Sequence, residues 1–505
     1  MISSVAVIGL ISEALLEAIG LIARPETLMW IVVGICLGIV VGALPGLGPP
    51  LGMAILLPLT LPLSGTDAII FLVSIYSGSM YGGSIAAILV NVPGTPASAA
   101  TTFDGYPLSK SGRAMDALTM SASASAFAGL FTVVLLILLS PVLIGVVLSF
   151  GSPEYFLVAI LGLSMITIVS QGSIVKGFAA GAFGLLLTTI GIAPMTPELR
   201  YTFGQTALYD GLSFIAVMLG LFAIAEMLNL AAKPGGITDT EFELSGNMFS
   251  GVRSTLSRPV LVFKSGFLGM AIGAIPGSGA AVSNFVAYAE AIRSSATPEL
   301  FGEGNAEGVI AAEASNNGTV GGSLIPTLSF GIPGSGSTAV LLGGLLMHGL
   351  RPGPDLFSSQ LAITYSIFLA LLIGNLLILG LGVVFVVRLS YITRVDTNVI
   401  IPIIVVFSVV GGLAVRNNWA DVATLLVLGV IGYYMYKHDY SIIALVLGVV
   451  LGPIAEENFH RSLALSDGSF LIFVTRPISI LLVVLTLAVL LGPLVKAYRT
   501  SGSSA

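Results

Sequence analysis

Charge is what this sequence has least of. Of 505 residues, 9% are Asp, Glu, Lys or Arg and 56% are hydrophobic, whereas a water-soluble domain carries roughly a quarter charged residues. So little charge cannot cover a soluble body of this size, and much of the surface must face lipid. Cysteine is nearly missing as well. Cys36 stands alone, which excludes a disulfide framework, and its place in an apolar run reads as that of a small core residue. His348, His438 and His460 fall in polar connections without metal-ligand spacing. There is no H-E-x-x-H, no G-x-S-x-G and no Walker P-loop, and Gly302-Glu303-Gly304 with Gly308 misses the dinucleotide spacing by one residue. Neither an enzyme nor a bound cofactor is expected, and uphill work must draw on an ion gradient or a separate ATPase. The net charge of −6 is small for this length and points to no nucleic-acid partner. No Lys or Arg precedes Arg24, so the basic start of a cleaved signal peptide is missing, and Glu13 and Glu17 suit an interfacial or peripheral helix.

What is present is apolar length. Runs near 124–150, 155–170, 177–197, 211–232, 358–387, 399–413, 422–436 and 477–495 read as α-helical spans, since a bilayer core takes about 20 helical residues. The alternation of a β-barrel is missing. The 61 glycines suit helices that approach closely in lipid. The expected fold is an all-α polytopic membrane protein with about 10–12 transmembrane segments.

The chain also repeats itself. Gly42-Ala43-Leu44-Pro45-Gly46-Leu47-Gly48 returns as Gly273-Ala274-Ile275-Pro276-Gly277-Ser278-Gly279 at an offset of 231. Gly82-Gly83-Ser84 returns as Gly321-Gly322-Ser323 at 239, and Pro93-Gly94-Thr95 as Pro333-Gly334-Ser335 at 240. Four segments follow: residues 1–232 as the first repeat with its N-terminal peripheral helix, 233–258 as a polar linker, 259–455 as the second repeat, and 456–505 as a C-terminal helix and tail. In the first half, Lys110, Arg113, Lys176, Lys233, Arg253, Arg258 and Lys264 fall on one face, with Arg200 opposite. Arg388, Arg394, Lys437, Lys496 and Arg499 join that face, while Arg351, Arg416, Arg461 and Arg476 fall on the other. This count sets 104–116 and its counterpart 348–357 on opposite sides, so inverted repeats are expected, as in many secondary transporters.

Each copy carries two interruptions. The runs 28–44 and 259–275 stop at Pro45-Gly46-Leu47-Gly48 and Pro276-Gly277-Ser278-Gly279, and further on Asn91 to Pro96 and Phe330 to Gly336 break two Gly-rich runs. Proline removes a donor and glycine admits unusual backbone, so broken or re-entrant helices are expected. Non-helical backbone at membrane depth persists only in protein or beside a wet cavity. Half-helix N-termini suit anions, while freed carbonyls and small hydroxyls such as Ser98, Thr101, Thr102 and Thr338 suit a hard cation. The candidate substrate and ion site is therefore Pro45, Gly46, Gly48, Asn91, Pro93, Gly94, Thr95, Pro276, Gly277, Gly279, Asn316, Asn317, Pro333, Gly334, Ser335 and Ser337, with Na⁺ held by backbone carbonyls near the same tips. Segments 28–63, 68–103, 266–292 and 308–350 contain no Lys or Arg, which favours co-bound cations over fixed ones for neutralising an anion. Of the flanking acids Glu290, Glu307 and Glu313, the last is best placed for a transport role.

Taken together, Gly42 to Gly52, Tyr81-Gly82-Gly83-Ser84, Pro93-Gly94-Thr95-Pro96, Asp104-Gly105-Tyr106-Pro107, Pro276-Gly277, Asn316-Asn317, Pro333-Gly334 and Arg351-Pro352-Gly353-Pro354 resemble the large membrane subunit of the tripartite tricarboxylate transporter family across about residues 15–455. The resemblance implies a multi-pass protein of the bacterial inner membrane. It implies a small membrane subunit and a periplasmic solute-binding protein as partners. It also implies uptake of citrate, other tri- or dicarboxylates or aromatic acids, driven by a cation gradient, commonly Na⁺, with H⁺ as the other coupling cation. The alternatives are a channel, a membrane-embedded enzyme or a non-transporting scaffold subunit.

Overall fold

The computed structural model describes residues 4–44, 46–169, 173–232, 246–277, 279–384 and 397–501. Pro45, Ser278, the linker as far as residue 245, and Lys233, Arg388 and Arg394 lie outside the described residues. The fold is all-α. A two-stranded antiparallel pairing of Gly191–Ile192 with Leu199–Arg200 is the one sheet among the described residues. Among the described residues, seven helices are long and apolar enough to cross a membrane: Pro25–Ala43, Gly65–Val90, Thr101–Leu148, Phe214–Ala231, Leu361–Val384, Trp419–Lys437 and Ile442–Leu465. Shorter apolar helices, among them Ser152–Ser164, Ile174–Thr188 and Pro259–Gly273, fill the spaces between them. The protein is a multi-pass membrane protein.

Most of the expected runs become helices, with three differences. The run 177–197 is helical only to Thr188, because the Gly191–Ile192 strand and Pro194 turn the chain back. Ile442–Leu465 is not among the expected runs, yet it is one continuous helix of 24 residues that carries Pro453 and the pair Glu456-Glu457 within it. It also crosses the expected boundary at 455. Of the polar linker, Met248–Leu256 is a helix tied to the helix Ala114–Leu148 by Asn247 N–H to Asp116 Oδ1 (2.9 Å) and Ser123 Oγ–H to Thr255 Oγ1 (2.8 Å). Cys36 corrects its reading as a core residue. It is exposed, because it falls on the outward face of Pro25–Ala43 while Gly34, Ile35, Gly38 and Ile39 face inward.

The repeat is visible in backbone contacts. Pro25–Ala43 packs along Gly65–Val90, and Pro259–Gly273 along Ala306–Phe330. A Cβ on Gly82 would strike the Ile39 carbonyl, and one on Gly322 the Met270 carbonyl. Gly78 and Gly318 stand in the same relation to Ile35 and Gly266, and Gly38 and Gly269 to Ile75 and Ser315. Close approach of this kind demands small residues. These pairings put the long helices in register at 240. The expected offset of 239 for Gly82-Gly83-Ser84 is therefore one residue short, because the closest backbone crossings, not the Gly-Gly-Ser triplets, decide equivalence.

Candidate functional site

The four breaks exist, and prolines and glycines shape them. Pro25–Ala43 ends before a turn in which Gly46 has φ 86°, and Pro49–Leu56 restarts with two prolines in its first turn. In the second copy, Gly277 (φ 76°) and Gly279 (φ 62°) separate Pro259–Gly273 from Gly279–Ser294. The long helices end on left-handed caps, Asn91 at φ 56° and Gly331 at φ 68°, the conformation these two residue types tolerate best. New helical turns then start from matched N-caps. Ser98 Oγ–H donates to the Thr95 carbonyl (2.9 Å), and Thr338 Oγ1–H to the Ser335 carbonyl (3.0 Å).

Within each copy the two breaks meet. Gly94 N–H donates to the Gly83 carbonyl (3.1 Å), and a Cβ on Gly94 would press on the Gly42 carbonyl. Gly277 N–H donates to the Gly334 carbonyl (3.0 Å), and a Cβ on Gly334 would lie 2.9 Å from the Gly273 carbonyl. Between copies the arms exchange. A Cβ on Gly336 would sit 3.2 Å from Pro50 Cγ, and Asn284 Oδ1 accepts from Ala100 N–H (2.8 Å) while its Nδ2 donates to the Ala312 carbonyl (3.2 Å). Thus Gly46, Gly48, Pro93, Gly94, Thr95, Pro276, Gly277, Gly279, Pro333, Gly334, Ser335 and Ser337 fall into two interlocked tip pairs rather than one cluster. Asn91 caps its helix from an exposed position. Asn316 and Asn317 lie deeper: Asn316 Nδ2 donates to the Met80 carbonyl (3.0 Å) and Asn317 Nδ2 to Asn375 Oδ1 (3.0 Å). Both of their Oδ1 atoms are buried without a partner among the described residues.

Glu313 is at the centre of this region and is fully buried. Its Oε1 accepts from Ser84 Oγ (2.6 Å) and Thr101 Oγ1 (2.5 Å), and its Oε2 from Ser125 Oγ (3.1 Å). Ser121 lies close to the same carboxyl, its buried hydroxyl making no hydrogen bond of normal geometry among the described residues, and the same holds for the Tyr81 hydroxyl nearby. Sequence reasoning missed Ser84, Ser121, Ser125 and Tyr81 as companions of Glu313. The run Ser121-Ala122-Ser123-Ala124-Ser125-Ala126, polar inside an apolar helix, was the available signal. The other two flanking acids are half-exposed ion-pair partners, Glu290 with Lys264 (3.3 Å) and Arg293 (2.8 Å), and Glu307 with Arg258 (3.5 Å). Asp104 ties the copies together from outside the tips, accepting from Tyr288 Oη (2.8 Å) and from the N–H groups of Gly302, Gly304 and Asn305 (2.7–3.0 Å).

A cleft of about 860 Å³ runs from the exposed Arg351, Arg461 and Asp210 down to Val217, Leu342 and Val449. It meets the end of the second copy's long helix at Phe330 and Gly331 and touches none of the described candidate residues. Its two arginines supply cations that the tip segments lack. Arg461 pairs with Glu457 (2.5 Å), while Arg351 has no ion-pair partner among the described residues.

An uncharacterized 52.8 kDa protein in the TAR-I ttuC′ 3′ region of Agrobacterium vitis is 36% identical over 479 residues, 94% of this chain and 95% of its own. Another uncharacterized protein, in the TAR-II ttuC′ 3′ region of the same organism, is 33% identical over 232 residues, 46% of this chain and 96% of its own. No solved structure matches the chain. Residues 28–447, which include both copies with all four breaks, match the Tripartite tricarboxylate transporter TctA family, and the chain belongs to that family as a component of a tricarboxylate-type transport system.

Proposed function

We propose that this chain is the permease of a three-component uptake system of the bacterial inner membrane. It moves a di- or tricarboxylate or related organic acid that a periplasmic solute-binding protein delivers. A small membrane subunit accompanies it, and an inward Na⁺ or H⁺ gradient drives it. The observation that carries the reading is the pair of interlocked tips. Two copies of one unit each bring two chain breaks together in the protein core and exchange arms through Gly336 with Pro50 and Ala100 with Asn284. Paired structural repeats that meet at broken helices are a recurrent architecture of alternating-access transporters. In this reading Arg351 and the cleft admit the anion from the outer face, and backbone N–H groups at the tips take it over.

The test is uptake by proteoliposomes holding the chain, its membrane partner and an excess of the binding protein. Accumulation above the external concentration is expected under an inward Na⁺ or H⁺ gradient. Ser335→Ala and Gly334→Val, at matched abundance, are expected to weaken apparent affinity by roughly tenfold or more, the scale of one lost charge-assisted bond. Accumulation that survives collapse of both gradients refutes the coupling. Unaltered kinetics in both variants would move the site away from the tips.

A further inference from the structure

We infer that Glu313 is the centre of a sodium site, in which one Na⁺ is bound by its carboxylate together with the hydroxyls of Ser84, Thr101 and Ser125. The inference rests on the gradient-driven uptake proposed above and gives that coupling a location.

The case begins with the other buried acids. Five carboxylates are buried among the described residues: Asp104, Asp116, Glu154, Glu313 and Asp421. Asp116 faces Arg113, Glu154 faces Arg476, and Asp421 faces Arg416. Asp104 lacks a basic partner but holds three backbone N–H groups and a tyrosine hydroxyl. Glu313 alone has neither a cation nor a backbone donor, only side-chain hydroxyls. A bare carboxylate at that depth is strongly disfavoured, so it is neutralised either by a proton or by a bound cation.

The surroundings select the kind of charge. Two carboxylate oxygens, three hydroxyl oxygens in contact and the Ser121 hydroxyl beside them form an all-oxygen set, the donor type of a hard cation. A protonated carboxyl would use one of these oxygens as an acceptor, whereas a metal ion engages several of them at once. Serine and threonine can supply acceptors by a change of partner. Ser84 and Ser125 lie mid-helix, where a hydroxyl can turn its hydrogen back to a carbonyl of its own helix and present a lone pair instead. The hydroxyls that donate to Glu313 would turn in this way to face a bound ion.

The position explains how loading is felt elsewhere. Glu313 comes from the second copy's long helix, and Ser84, Thr101, Ser121 and Ser125 come from the first half of the chain. Ser84 follows Gly83, whose carbonyl accepts from Gly94 N–H (3.1 Å) and Ser98 Oγ–H (3.0 Å) at the first tip pair. An ion at Glu313 therefore clamps the two copies beside a break that the proposed substrate uses.

The experiment is equilibrium binding of radioactive sodium to the purified full-length chain, with its thermal midpoint in sodium and in choline chloride. Wild type is expected to bind Na⁺ saturably and to gain midpoint in sodium. Glu313→Gln is expected to lose affinity about tenfold or more and the sodium-dependent shift, with an unchanged midpoint in choline. Thr101→Val and Ser125→Ala, which remove one ligand each without altering charge, are expected to weaken binding several-fold and carry the test should the Gln variant not purify. Glu307→Gln, at the surface, is expected to bind as wild type does. Sodium binding of wild-type affinity in both Glu313→Gln and Thr101→Val overturns the site. A wild-type chain that binds no sodium, in a complex whose uptake follows a pH gradient, also overturns it while leaving carboxylate uptake standing. Uptake independent of both gradients counts against the proposed coupling itself, which the binding measurement on the isolated chain does not depend on.

Discussion

The two copies agree in their scaffolding and disagree in what they bury. At the register of 240 the helix crossings match, with Gly78 and Gly318, Gly82 and Gly322, and the carbonyls of Ser79 and Thr319 in the same roles. Even the cross-copy bonds have counterparts: Tyr76 Oη lies 3.1 Å from Ser323 Oγ, and its equivalent Asn316 donates back to the Met80 carbonyl. At that register, however, Glu313 corresponds to Val73, an ordinary fully buried apolar residue, and the exposed Asn91 corresponds to the buried Gly331 at the cleft. Shared positions carry the architecture. The unmatched ones mark where a symmetric frame has been made to do one asymmetric task.

The sharpest way to break the agreement is to crowd the crossings. In Gly42→Val the new Cβ would meet the Ser79 carbonyl and the Gly83 amide, 2.9 Å away. In Gly273→Val it would meet the Thr319 carbonyl at 2.8 Å. The obstacles are backbone, so whole helices must separate, and the loss should be about 3 kcal/mol or more. Both variants should show strongly reduced membrane abundance and thermal midpoint, Gly42→Val at least as severely. Full tolerance in either copy would show that the matched crossings do not carry the fold.

That agreement was largely legible beforehand because proline and glycine announce breaks without help from tertiary context. Pro49, Gly94, Gly277 and Gly334 each stand where the chain leaves a helix or meets another backbone. What stayed hidden was whatever depends on which faces meet. The register slipped by one residue because three small residues in a row offer no side chain to tell two alignments apart. Cys36 went to the wrong side because an apolar run in a membrane protein says nothing about whether lipid or protein covers each face. Glu313 was visible as an acid, but its companions come from positions 84, 101 and 125, separations that no local pattern encodes. The cleft was invisible for the same reason, since Arg351 and Arg461 reach it from positions about 110 residues apart in the chain.

A middle-sized effect sharpens the disagreement at Glu313. Glu313→Val gives the second copy the residue of the first. The variant removes a buried charge that no protein cation offsets, and the freed hydroxyls can return to their own helices. In sodium-free buffer its thermal midpoint should equal or exceed that of wild type, a change of zero to about 2 kcal/mol in its favour, while sodium-driven accumulation is lost. A marked fall in midpoint would instead make Glu313 a structural hub of hydrogen bonds whose loss the hydroxyls cannot absorb.

The smallest effect concerns the caps. Asn91 and Gly331 both end a long helix in the left-handed region, but their surroundings differ. Asn91→Gly keeps the conformation, removes an exposed side chain and adds freedom to the unfolded chain, so its midpoint should move by less than about 0.5 kcal/mol, with uptake unchanged. Gly331→Asn keeps a residue able to adopt the same dihedrals, yet its Cβ would lie 3.3 Å from Ile454 Cδ1 and 3.7 Å from Pro352 Cβ. Its amide would enter a buried position on the cleft wall. That should cost about 1 kcal/mol and, because the new side chain would narrow the cleft at this wall, raise the apparent KM for uptake more than it lowers the maximal rate. Thermal midpoints read the first difference and proteoliposome kinetics the second. Equal and negligible effects of both exchanges on uptake would mean that the cleft is no route to the tips, and that the two caps differ in burial alone.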